Sequence, residues 1–281
     1  MIGGEKVPIV CPYCGFGCRI YAIKKGNRIQ IEFVKDNPTV NQGSLCPKGI
    51  ASLDYVLSKD RLKAPLKVSD RGKFTEISWK KAIEIVSKNI KEIAKKQGPE
   101  ALGFISSAKC TNEENYLMQK IARMMGTNNV DHCARLCHAS TIVGLAKTVG
   151  AAAQSGSYLD ISKANAILIW GYNPAETHPV AMRYILAAKD NGARIILVDP
   201  RRTKTGWFAD YVLRLIPGSD VALANAIMNV IISENLYDAS FVNDRLVGFE
   251  QLAEHVAKYT PESVENITGV DADLIRDAAR T

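Results

Sequence analysis

Residues 166–200 read AILIWGYNPAETHPVAMRYILAAKDNGARIILVDP. Ala166 to Trp170 is a short, continuous apolar run, the pattern of a strand buried on both faces. Pro179 to Lys189 carries its apolar residues at helical spacing, and Arg194 to Val198 is a second apolar run. Strand, helix and strand in that order form a βαβ unit, whose right-handed crossover makes the two strands parallel. The turns that follow the strands are GYNPAETHP and DPRRTKT. Both fall at the carboxyl ends of parallel strands, where open α/β sheets bind their ligands. Neither turn is a GxGxxG, so a plain NAD fingerprint is absent.

The pattern extends outward from this unit. Val221 to Ser233 reads as a helix, and Asp271 to Thr281 scans as a helix with no stop signal. Upstream, Ser78 caps an expected helix whose Trp79, Ala82, Ile83, Val86, Ile90 and Ile93 share one face, with Gly98 just past its end. Ala101 to Ser107 reads as a strand. Thr111 and Glu114 form a capping box that opens a helix to about Met125, stopped by Gly126. Before residue 60 the apolar runs are short (Pro8 to Val10, Arg19 to Ile23, Ile29 to Val34) and are broken by Gly, Asn and Pro. They predict small hairpins wrapped around something other than a large core.

Composition narrows the function classes. The chain has 281 residues, 47% apolar and 23% charged, with a net charge of +7. That is ordinary globular composition. No run of like charges marks a nucleic-acid tail. No stretch approaches the roughly 18 to 20 apolar residues that span a bilayer, so no integral membrane protein is expected. The opening MIGGEKVPIV has neither an apolar signal core nor a twin arginine, which predicts a cytoplasmic protein.

Four of the seven cysteines lie early, at Cys11, Cys14, Cys18 and Cys46; Cys110, Cys133 and Cys137 follow. Such clustering in a cytosolic chain favours metal ligation over disulfides. A cubane cluster needs four thiolates converging from several directions, and a tight loop can supply three of them. Gly15 and Gly17 let the backbone close around those sulfurs. Structural zinc also takes four cysteines, but zinc ribbons usually present two CxxC knuckles, and here the distal half is Cys46 alone.

CPYCGFGC followed by SLCPKG resembles the opening of the molybdopterin oxidoreductases, the superfamily of formate dehydrogenases and periplasmic nitrate reductases. The resemblance implies that Cys11, Cys14, Cys18 and Cys46 hold a [4Fe–4S] cluster. It also implies that Lys48 lies between cluster and pterin and helps conduct electrons. NNVDHCARLCHAS, at 128–140, carries a second match. Formate dehydrogenases place a selenocysteine or cysteine on the metal with a histidine next to it, as in Cys137-His138. Relatives that reduce nitrate follow the cysteine with methionine, so His138 points toward formate. A soft thiolate suits a high-valent metal, and an imidazole titrating near neutrality can take the proton released from formate. Cys133, like Cys110, reads as structural or cofactor-lining.

By the same resemblance the two strand-end turns hold the guanosine end of a molybdopterin guanine dinucleotide, through Asn173, Glu176, Thr177, Asp199, Arg201, Gly218 and Asp220. Carboxylates suit ribose hydroxyls and the guanine amino edge, and an arginine suits diphosphate. Lys109 matches a basic pterin contact. The expected fold is α/β. A cluster domain of short β-hairpins (1–60) precedes the first part of an α/β domain (61–132) and a Rossmann-like dinucleotide-binding domain (133–281). That last domain is expected to be truncated and the chain incomplete at its carboxyl end, because family subunits are longer.

The implied reaction is reversible oxidation of formate to CO2 at a bis-molybdopterin guanine dinucleotide centre of molybdenum or tungsten. Electrons would pass to a ferredoxin, a flavoprotein or a hydrogenase subunit, and a second chain that completes the enzyme is a further expected partner. The alternatives are a nitrate reductase of the same superfamily and a non-catalytic iron–sulfur subunit that has lost its pterin. His138 and DPRRTKT argue against them.

Overall fold

The computed structural model describes residues 5–26, 28–34 and 40–281. Three strands come first: β1 (Lys6–Val10), β2 (Arg19–Lys25) and β3 (Arg28–Phe33), paired antiparallel in that order. Ile20 sits opposite Ile9 and Phe33 and is fully buried. The loop between β1 and β2 carries three of the early cysteines. The fourth, Cys46, precedes α1 (Pro47–Ile50), which starts on a proline, a residue that needs no amide partner there.

Contacts divide the chain into two compact units, residues 53–155 and residues 1–52 together with 156–281. The first opens with a hairpin, β4 (Leu66–Val68) and β5 (Phe74–Glu76), and α2 (Trp79–Gln97). Next come β6 (Phe104–Ser106), α3 (Asn112–Met124) and β7 (Val130–His132), with β7 parallel to β6. Two helices, α4 (Ala134–Cys137) and α5 (Ala139–Val149), close it. Both sequence-derived helix starts hold. Ser78 accepts from the Lys81 amide, and the Thr111–Glu114 capping box makes both of its bonds. The strand expected over 101–107 shrinks to three residues, because a tight turn at Pro99–Ala101 takes its first part. The apolar stripe of α2 stays open. Trp79 is 68% exposed and Ile83 62%, and the stripe forms one wall of an apolar groove completed by Ile121 and Met125.

In the other unit α6 (Tyr158–Ile161) leads to β8 (Ala166–Trp170), α7 (Pro174–Thr177), α8 (Met182–Asp190) and β9 (Arg194–Val198). Then follow β10 (Tyr211–Leu213), α9 (Asp220–Ser233), α10 (Ala239–Arg245), α11 (Phe249–Val256), α12 (Pro261–Thr268) and α13 (Ala272–Arg280). The sheet is parallel, in the order β10-β9-β8. Both strands of the expected βαβ unit have the bounds read from sequence. The helix starts at Met182, after Pro179 rather than on it; a residue preceding proline avoids helical backbone, which breaks the segment at His178.

β9 is paired on both edges and buried on both faces. Ile195, Leu197 and Val198 are wholly enclosed. From it the core spreads through Leu213, Leu223, Val264 and Ile275 of β10, α9, α12 and α13. Each such side chain contributes about 1.5–3 kcal/mol by leaving water.

Asp210 pins the entry to β9. Its carboxylate accepts the Ile195 amide at 2.8 Å, Lys189 Nζ at 3.0 Å and an Arg194 Nη at 3.1 Å. Chiefly through that amide bond, its pKa is held down from 3.8 to about 2. A folded-state pKa below the unfolded one contributes stability above the ordinary carboxylate range and loses it as pH falls toward 2. Asp210→Asn should therefore cost about 1–2 kcal/mol at pH 7. In urea unfolding, the gap from wild type should close as pH falls from 5 toward 2.

Candidate functional site

The cysteine loop closes on itself: the Cys11 amide donates to the Cys18 carbonyl at 2.8 Å, and Gly17 takes the left-handed backbone conformation (φ 72°) that the turn requires. Cys11 and Cys18 are buried, Cys14 and Cys46 half-buried. All four line one pocket with Phe16, Leu45 and Val180. Burial, followed by the charges of Cys11, Cys14 and Cys46, pushes the Cys18 thiol up to about 12. Four thiols this close and this dry take metal by releasing protons. Among the described residues, no three His, Cys, Asp or Glu side chains converge on a single-ion site. The four thiols line one small apolar pocket, and four thiolates are the ligand set of a [4Fe–4S] cluster as they are of structural zinc.

The segment carrying Cys46 is held by residues that the sequence did not single out. Asn41, fully buried, accepts the Arg19 amide at 3.0 Å and donates to the carbonyls of Arg19 and Ser44. Arg183 of α8 donates to the Asn41 carbonyl at 3.1 Å and to Ser44 Oγ at 2.6 Å. The only sequence hint is the turn-like NQGS; the arginine partner is remote in the chain.

Lys48 joins this segment to the turn after β8. Its ammonium donates to the carbonyls of Glu176 at 2.9 Å and Thr177 at 3.1 Å. The side chains there form one network. Thr205 Oγ1 donates to Asn173 Oδ1 at 2.7 Å and accepts the Ala175 amide, while Asn173 Nδ2 donates to the Glu176 carboxylate. Glu176 also faces Lys204 at 3.7 Å, and Thr177 Oγ1 donates to the Asn173 carbonyl. Asn173, Glu176 and Thr177 are thus brought together.

The turns after β9 and β10 lie in the same unit. Asp199 is buried, and its side chain accepts the Arg201 amide at 2.8 Å, leaving the Arg201 side chain exposed. Gly218 has φ 92°, and Asp220 accepts Trp170 Nε1 at 2.8 Å at the start of α9. Nearby, the buried Thr203 hydroxyl has no hydrogen-bond partner among the described residues.

Lys109, Cys133, Cys137 and His138 belong to the 53–155 unit. Cys133 Sγ accepts the Ala108 amide at 3.1 Å, which sets it beside the Lys109 loop at the carboxyl ends of β6 and β7. Cys137 ends α4 and His138 bridges into α5; both side chains are exposed.

A parallel α/β sheet with polar side chains at its strand ends, preceded by a thiol-lined loop, suits an iron–sulfur protein that binds a second cofactor at the sheet. The Molybdopterin oxidoreductase profile matches residues 61–267, and that family's Fe4S4 domain matches residues 5–58. The chain belongs to the molybdopterin oxidoreductase family.

It is 47% identical over 276 residues to the F420-dependent formate dehydrogenase subunit alpha of Methanocaldococcus jannaschii, covering 98% of this chain and 40% of that protein. It is 44% identical over 283 residues to formate dehydrogenase H of Escherichia coli, covering 98% and 39%. Among solved structures, acetylene hydratase from Pelobacter acetylenicus superposes with TM-score 0.80 at 32% identity, covering 98% of this chain and 38% of that one. The chain thus spans about 40% of the length of the first of these relatives. The cofactors of the two matched domains are a molybdopterin and a [4Fe–4S] cluster. The residues present fit both: four thiols ring one apolar pocket, and polar side chains with one orphaned hydroxyl gather at the strand ends.

Lys48→Met keeps the aliphatic stem and removes two charge-assisted hydrogen bonds, worth about 1–2 kcal/mol. Amide exchange across residues 174–178 should accelerate by about tenfold. Lys204→Met, which removes only the exposed pair at 3.7 Å, should leave it nearly unchanged.

Proposed function

We propose that this chain is the cofactor-bearing part of a formate dehydrogenase catalytic subunit, working in the cytoplasm on the reversible oxidation of formate to CO2. The observation that carries this reading is alignment over 98% of this chain with relatives named as formate dehydrogenase alpha subunits, three of them at 42–47% identity. Cys137-His138 supports it. Cysteines grouped for metal ligation rather than for disulfides suit a reducing compartment.

In this reading Cys11, Cys14, Cys18 and Cys46 hold the cluster, and Cys137 holds molybdenum or tungsten on a bis-molybdopterin guanine dinucleotide. Asn173, Glu176, Thr177, Asp199, Arg201, Gly218 and Asp220 engage the guanosine ends, while Lys109 and Cys133 line the pterin. When bound, the metal–pterin group held by Cys137 would supply a two-electron acceptor, and the cluster held by the four early cysteines would supply a one-electron relay. The proton falls to His138, whose imidazole beside the metal-holding thiolate is the base of the right kind. Lys48 keeps the cluster segment and the β8 turn in register. Two of these relatives are named F420-dependent, which makes F420 a natural final acceptor of the electrons, reached through a ferredoxin, a flavoprotein or a hydrogenase subunit.

Two measurements test the reading. Anaerobically purified protein should contain about four irons per chain, with broad thiolate–iron absorbance. One zinc and no iron would refute the cluster. In the assembled enzyme, Cys137→Ala should abolish formate-dependent reduction of an artificial acceptor, whereas His138→Ala should keep its metal and slow turnover about 10²- to 10³-fold. Wild-type turnover by the Cys137 variant, with metal still bound, rules the assignment out.

A further inference from the structure

The cysteine pocket draws three of its thiols from one loop and the fourth from a separate segment. Cys11, Cys14 and Cys18 share a loop closed by the bond from the Cys11 amide to the Cys18 carbonyl. Cys46 stands outside that closure. The turn before it, Asn41 to Ser44, runs through two left-handed residues, Gln42 (φ 45°) and Gly43 (φ 72°). Glycine adopts that backbone freely, whereas Gln42 is strained in it and stays there only if its surroundings hold it.

Those surroundings come from α8. One Nη of Arg183 donates to the Asn41 carbonyl at 3.1 Å and to Ser44 Oγ at 2.6 Å, and the other reaches Gln42 Oε1 at 3.5 Å. A single guanidinium thus grips the turn at both ends and at its strained residue. The turn's own bond, from the Ser44 amide to the Asn41 carbonyl at 2.7 Å, ends on the carbonyl that Arg183 also holds. On the same helix, the Tyr184 hydroxyl donates to the Val40 carbonyl at the entrance of the turn. Cys46 follows Ser44 by two residues.

We propose that Arg183 is a positioning residue that, through Asn41 and Ser44, keeps the Cys46 thiolate on the cluster, so that its loss opens the Cys46 corner and no other. A metal ligand holds its ion as firmly as the groups behind it fix its place. Three ligands on one closed loop move together, while the fourth depends on a turn that a remote side chain fastens. Without that grip the bond between Cys46 Sγ and its iron breaks, and the freed thiolate takes a proton from water. A one-electron oxidant completes the step. The resting four-iron cluster yields a three-iron cluster, one ferrous ion and one electron, which ferricyanide accepts as it becomes ferrocyanide. The inference rests on the cluster reading above. Wild-type iron content tests that reading by itself; the response of the variants to oxidant tests this one.

The experiment loads the full chain with cluster anaerobically, adds ferricyanide and follows the three-iron product by electron paramagnetic resonance. That product is paramagnetic when oxidised and the resting four-iron cluster is not, so a loosened fold alone does not mimic the signal. In Arg183→Met the signal should grow about tenfold faster than in wild type. Arg183→Lys keeps the cation but not the fork, and should restore most of the difference. Lys189→Met takes from the same helix a cation whose partner is Asp210, away from the turn, and should stay within about twofold of wild type. Ser44→Ala removes one acceptor of the guanidinium and leaves α8 untouched. It should speed the signal about threefold, and it decides the matter if Arg183→Met takes up no iron. Alkylation once the signal has formed should mark Cys46 ahead of Cys11, Cys14 and Cys18. A wild-type rate in Arg183→Met or in Ser44→Ala, an equal acceleration in Lys189→Met, or alkylation that favours another of the four cysteines would each overturn the proposal.

Discussion

Two cations bolt the cysteine segment to the parallel α/β fold. Lys48 grips the Glu176 and Thr177 carbonyls, and Arg183 grips the Asn41 carbonyl and Ser44 Oγ. The need for them follows from local structure. Cys11 to Cys18 is a loop, and α1 after Cys46 is four residues long, too short to hold a position by its own hydrogen bonds. A cofactor pocket built on such material must borrow rigidity. Here it comes from α7 and α8, which stand on the buried strand β9. Fixed carbonyls make good partners for a cation because they neither titrate nor swing away.

The same packing gives the pocket its chemistry. Phe16, Val180 and Tyr184 exclude water from thiols that must ionise to bind metal, so the empty site resists charge and the filled site is shielded. A polar lining would ease metal uptake. It would also let solvent compete for every hydrogen bond at sulfur, and the potential would then be set by water rather than by residues.

What could be read from sequence is what is encoded locally. β9 emerged with its observed ends because a parallel strand buried on both faces is a continuous apolar run; β8 was read by the same pattern, although as the outer strand of the described sheet it leaves Leu168 51% exposed. Ser78 and the Thr111–Glu114 pair announced α2 and α3 because a cap is a contact between near neighbours. β10 went unread: three residues, Tyr211 to Leu213, carry no period, and only pairing with β9 makes them a strand. So did α10 to α12, short helices with few fully buried side chains that rely on Asp238 and Thr260 caps inside polar sequence. Asn41 and Arg183 were invisible because their partners are tertiary. Glu176 and Thr177 were singled out for their side chains, yet Lys48 uses their backbone carbonyls, which no residue type advertises. Asp220, read as a cofactor contact, here accepts Trp170 Nε1, an arrangement that ties β8 to the start of α9.

The fold leaves the reaction open. The same backbone superposes on an enzyme named as a hydratase and aligns with others named as formate dehydrogenases, so the parallel sheet and the thiol pocket cannot choose between them. The choice falls to a few side chains on short connections. Cys137 and His138 sit at the joint of α4 and α5, at the end of a four-residue helix, where neither contributes to a core. A cysteine and a histidine placed there bring no packing energy that a serine or an alanine would forfeit. In the proposed reading their presence serves chemistry rather than folding, and the distinction between relatives of this fold would be carried by residues that the described fold does not require.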